Sequence, residues 1–120
     1  VVVMSANRSG AMVWSEVEPL ADVVFYRYGS VSDDAAVELI AGKVEPSALL
    51  CQQQPASMKA VEQEMEDVPR DLECYVDANG NTYDFAYGLN WSGVINDERV
   101  ATYSAAPLTH VENMQFHYAQ

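Results

Sequence analysis

The dipeptide Asn79-Gly80 restricts this chain more than any other feature of its sequence. A type I′ hairpin turn needs positive φ at both central positions, and Asn-Gly is the pair best suited to them. Pairing Ala78 with Asn81 across such a turn sets the register of both flanking strands. Val76 then faces Tyr83, Cys74 faces Phe85 and Leu72 faces Tyr87, all apolar or aromatic and all on one face. The other face pairs Asp77 with Thr82, Tyr75 with Asp84 and Glu73 with Ala86. Side chains alternate with period two, so a slip of one residue would undo this sorting. The sequence predicts a half-buried hairpin over residues 72–87.

Local signals upstream are mostly helical. Val23-Val24-Phe25-Tyr26-Arg27-Tyr28 is β-branched and aromatic, ends at Gly29 and reads as a strand. Ser32 can cap a helix over 33–41, with Asp33 and Asp34 at its positive end and Gly42 as its stop. Pro46 can open a short turn through Leu49, Leu50 and Cys51. Ser57 caps a second helix, 57–68, whose residues Met58, Val61, Met65 and Val68 form one apolar stripe. Glu62, Glu64, Glu66 and Asp67 occupy its outer face, and Pro69 ends it.

Downstream the signals are strand-like. Residues 93–95 and 99–103 suggest a second hairpin around Asn96-Asp97, and 114–119 alternate as a half-buried terminal strand. The expected class is α+β, with two or three short helices packed on an antiparallel sheet of about four to five strands. Residues 1–10 are expected to be a flexible segment and 11–120 a single domain. Helices first and curved strands later loosely resemble, in architecture alone, the cone-shaped cystatin-like and nuclear-transport-factor-like domains. That resemblance carries over no function and no residue role.

Charge narrows the partners. Six basic residues stand against 18 acidic ones, a net charge of −12. A protein that neutralises phosphates needs a basic face, which argues against direct nucleic-acid binding. The same balance argues against an anionic membrane surface. The opening Val1-Val2-Val3-Met4 is too short for a signal core or a membrane span. With only Cys51 and Cys74, both read as buried thiols, the expected setting is cytoplasmic. In that setting the sequons Asn7-Arg8-Ser9 and Asn90-Trp91-Ser92 carry no meaning.

No motif names a reaction. Asp77 to Asp84 glances toward a calcium loop, but the sixth place is Thr82 and the twelfth Gly88, where a loop of that kind needs Gly and an acid. His110 and His117 lack metal-ligand spacing and have no Cys-x-x-Cys beside them, so no metal and no cofactor is expected. Cys51 has no nucleophile signature around it, Ser92 sits in no Gly-x-Ser-x-Gly elbow, and no glycine-rich phosphate loop occurs.

Three functional readings follow. The first is a small acidic binding module that self-associates, as a homo-oligomer, through a tyrosine-rich sheet face or edge. Tyr83, Tyr87, Trp91 and Tyr103 are its candidate contact residues. The second is a small-molecule binder or enzyme with a cleft where Tyr75, Asp84 and His117 meet for proton transfer. The third is an acidic decoy: Glu62, Glu64, Glu66, Asp67, Asp71 and Glu73 imitate phosphates and occupy a nucleic-acid-binding protein.

Overall fold

A computed structural model describes residues 1–6, 11–29, 31–65 and 68–105. It is a small mixed helix and sheet protein, with three α-helices, one short 3-10 turn (Glu18–Leu20) and two short sheets among the described residues. β1 (Val2–Ala6) and β2 (Val24–Tyr28) pair in parallel, from Val2 opposite Val24 to Ala6 opposite Tyr28. Part of the expected flexible segment 1–10 is thus a strand, built from β-branched residues that suit a pleated surface. α1 (Asp33–Ile40) follows β2 and starts where the sequence places it, with Ser32 Oγ accepting from the Ala35 N–H. Arg27 ties these elements together by donating to Ser5 Oγ on β1 and to Asp33 Oδ1 on α1, both at 2.6 Å. Val3, Phe25, Ala36 and Leu39 line a shallow hollow of about 50 Å³ between sheet and helix.

The centre of the molecule is irregular. Residues 50–56, bent at 51–52 and 56, bond to both arms, 72–77 and 82–88. The Leu50 N–H donates to Tyr87 O, the Ala86 N–H to Leu50 O, and the Ala56 N–H to Glu73 O. Three residues close a ring of main-chain bonds: Gln54 donates to Tyr83 O, Tyr83 to Tyr75 O, and Tyr75 to Gln54 O. Main-chain groups on these arms thereby find partners on a neighbouring segment, outside any regular ladder. At Gly88 a Cβ would collide with the Ala48 carbonyl oxygen, so residues 48 and 88 approach closely only because Gly88 has no side chain.

Of the hairpin expected over 72–87 only the end beside the turn forms: neither arm is a regular strand, and Cys74 and Tyr87 pair with residues 55 and 50 in place of each other's arm. Val76 bridges Thr82, and the Asp77 N–H donates to Asn81 O, one residue out of the expected register. The loop holds three residues. Gly80 donates back to Asp77 O and adopts φ +83, which describes a type I turn followed by a left-handed glycine. Asp77 selects this turn. Its carboxylate accepts from the Asn79 N–H, the Asn81 N–H and the Asn81 side chain, at 2.8–2.9 Å. The slip re-sorts the faces, so that Tyr75 is buried and Val76 is exposed.

Other expectations also change. The helix predicted over 57–68 is α2 (Met58–Gln63), capped by Ser57, and Ala60 is its buried residue. The positions of the expected apolar stripe are all exposed, Met58 and Val61 on α2 and Met65 and Val68 beyond its end. β3 (Leu89–Asn90) pairs with β4 (Gly93–Val94) around Trp91. Residues 99–103, expected as a strand, belong to α3 (Glu98–Tyr103) because Asp97 caps it by accepting from the Arg99 N–H. The sheets hold two strands each, in place of one sheet of four to five. Residues 46–51 form no helical turn, and Cys51 is exposed. The terminal strand expected over 114–119 lies outside the described residues.

Candidate functional site

The tyrosines gather around one buried glutamine. Gln54 is 0 % exposed, and its Oε1 accepts from Trp14 Nε1 at 2.9 Å and from the Met12 N–H at 3.0 Å. Trp14 meets Tyr26 and Tyr83 edge-on, with ring centroids 5.4 and 5.7 Å away. Tyr26 continues to Tyr28, and Tyr83 to Tyr75, again edge-on, while Tyr83 stacks on Tyr87 at 4.8 Å. Such pairs place positive ring edges against negative ring faces and hold a core together beyond simple area burial. Burial raises the phenol pKa of Tyr26, Tyr28, Tyr83 and Tyr87. For Tyr75, burial and then the Glu18 carboxylate push it up to about 12. Tyr75 Oη donates to Glu18 Oε2 at 2.7 Å.

This arrangement redistributes the residues singled out from the sequence. Tyr75 belongs to the core and spends its hydroxyl on Glu18. Asp84 turns back on its own strand, its Oδ1 accepting from the Phe85 N–H at 2.7 Å. His117, the proposed third member of the proton-transfer triad, lies outside the described residues, as does His110. Tyr83 and Tyr87 are half-buried members of the aromatic cluster. Trp91 and Tyr103 remain on the surface, at 63 % and 56 % exposure.

A second feature was not anticipated. Leu49, Leu50, Cys51, Phe85, Arg99 and Tyr103 line an open cleft of about 420 Å³. Two arginines brace its walls. Arg99 clamps Asp97 at 2.7 Å and donates to Ser47 O, and Arg70 sits over the Phe85 ring while donating to Tyr103 O and Ser104 O. With the guanidinium groups held by these partners, the cleft offers chiefly apolar walls and the Cys51 thiol. No motif marks this cleft in the sequence, because its walls come from three distant stretches of chain.

Cys74 fits a structural role. Burial and then the charge of Asp84 push its thiol up, and Gln53 Nε2 donates to its sulfur at 3.2 Å. Both cysteines are free thiols. Among the described residues no group of three or more His, Cys, Asp or Glu side chains is placed to hold a metal ion. None of the described helices is long and apolar enough to cross a membrane.

Exposure of apolar side chains is the remaining surface signal. Among the described residues the buried hydrophobic ones are Trp14, Ala60, Leu72, Tyr75, Ala86 and Ile95. Far more large apolar side chains are exposed, among them Val1, Val3, Val37, Ile40, Leu89, Trp91 and Val94. Comparison of the chain with protein families, with curated proteins and with solved structures finds no match.

Proposed function

We propose that this chain is a small acidic binding module that self-associates through the open edge of the β1–β2 sheet. The observation that carries this reading is the excess of exposed over buried large apolar side chains. Single exposed hydrophobics are ordinary, but a core this thin leaves much apolar surface for a partner to cover. Two features favour a second copy at β1. That strand has no partner on its outer side among the described residues, so it presents unpaired main-chain groups. Residues 1–6 also carry no charged side chain, in a chain of net charge −12. Elsewhere, two copies would bring acids against acids. Free cysteines suit a reducing, cytoplasmic setting for such a module.

The test is solution mass by light scattering at low salt and at about 1 M, where screening shortens to roughly 3 Å. A dimer at both salts is expected. The Val2 N–H donates inward to Val23 O, so by alternation the Val3 N–H faces the open edge. Val3→Pro is therefore expected to give a monomer with its ladder intact. Wild-type protein that is monomeric at both salts would sink the proposal.

The cleft supports a second reading, a carrier of neutral apolar small molecules, since about 420 Å³ lies within the range of ligand sites. It expects bound fragments to protect Cys51 from alkylation. Unprotected Cys51 across a fragment library counts against it.

A further inference from the structure

We infer that the exposed shoulder formed by Met58, Val61 and Met65 docks a basic amphipathic helical segment of another protein. This goes beyond the self-association reading and does not depend on it. The sequence arranges these residues as a core stripe, yet α2 turns Ala60 inward and leaves Met58 61 % exposed, and Met65, just past the extended Glu64 that ends the helix, is 59 % exposed. Val68 is held close by its N–H, which donates to Met65 O at 3.0 Å, and it is exposed too. Methionine is unbranched and polarizable, so a methionine shoulder adapts to the side chains of an incoming helix.

Charge selects the occupant. Glu62 and Glu64 are exposed and flank Val61 and Met65 in the chain. The Asp71 carboxylate lies against the shoulder, accepting from the Met65 N–H at 2.9 Å. Of the nearby bases, Lys59 is exposed on α2, while Arg70 is turned away to Tyr103 O, Ser104 O and the Phe85 ring. An apolar strip with a net acidic rim complements a helix whose apolar face is bordered by lysines or arginines. A second copy is the poor fit here, because it would set Glu62, Glu64 and Asp71 against their own images.

The test is fluorescence anisotropy with a labelled peptide of leucines and lysines patterned at helical period. A scrambled peptide of the same composition and an oligolysine of the same charge are the controls. The patterned peptide is expected to bind at least about tenfold tighter than either control. Met58→Asp with Met65→Asp is expected to weaken it about tenfold, although the change adds negative charge, and Met58→Gln with Met65→Gln is expected to weaken it similarly. Circular dichroism checks that these surface variants keep the wild-type fold. Equal binding of the scrambled peptide or oligolysine would reduce the shoulder to simple charge capture and overturn the proposal. So would absence of binding, or variants that bind like the wild type. Repeating the titration on Val3→Pro separates this outcome from failure of self-association.

Discussion

At the scale of single residues, Gln54 organises the structure most. One carbonyl oxygen on its side chain, at a residue with no exposed surface, satisfies both the indole of Trp14 and the main chain of Met12. Gln54→Leu keeps most of the volume and strands two donors without an acceptor. Leaving such groups unsatisfied costs about 1–3 kcal/mol each at most sites. The variant is expected to lower the urea midpoint and to shift tryptophan emission to the red as Trp14 loosens. An unchanged midpoint would mean that Gln54 is a passenger in the cluster. Nothing local in Gln52-Gln53-Gln54 distinguishes the third glutamine from the other two. Its role comes from the distant residues that surround it.

At the scale of elements, the hairpin turn shows how one carboxylate overrides a dipeptide preference. Asn79-Gly80 favours two positive φ angles, but among the described residues only Gly80 of this pair adopts one. The three bonds to Asp77 stabilise the three-residue loop, and the register moves by one. Burial raises the Asp77 pKa, and the hydrogen bonds from Asn81 and Asn79 outweigh it, so the net shift is downward. A folded pKa below the unfolded value contributes stability above about pH 4 and loses it as pH falls through the folded value. Asp77→Ala is therefore expected to destabilise by about 1–2 kcal/mol at neutral pH and by progressively less in acid. Chemical denaturation at neutral pH and near pH 3 measures the difference. An equal loss at both would remove the carboxylate from the account. The three α-helices make a similar point. Ser57 and Ser32 announce their helices, whereas Asp97 reads equally as a hairpin residue until its side chain is seen capping Arg99.

At the scale of the whole molecule, the tyrosine cluster sets the response to alkali. Tyr75 is pushed up to about 12, and burial raises the phenols of Tyr26, Tyr28, Tyr83 and Tyr87 as well. An unfolded chain ionises its tyrosines near pH 10. Their contribution is complete below that pH and is lost as pH rises through the folded values. Thermal stability is expected to be level from neutral pH to about 9.5 and then to fall steeply, with tyrosinate absorbance rising together with the loss of structure. Tyrosinate that forms well before unfolding would show that the cluster is open to water. The same cluster bears on partners. With the rings of this cluster packed on one another, the self-association proposed above is assigned to β1, and the partner of opposite charge is proposed for the acidic rim beside α2.

The sequence by itself determined the local signals that need only neighbours: the strand at Val24–Tyr28, the Ser32 and Ser57 caps, the presence of a turn at Asn79-Gly80, and the acidic surface. Tertiary structure alone decided which faces are buried. The stripe expected over 57–68 has the spacing of a core face, yet the helix stops at Gln63 and Ala60 is its buried residue. The parallel pairing of β1 with β2 joins segments some twenty residues apart and has no signature within either strand. The cleft at Cys51 likewise exists only where three remote stretches meet. Periodicity states which residues share a side. Which side faces inward depends on what else is there to cover it.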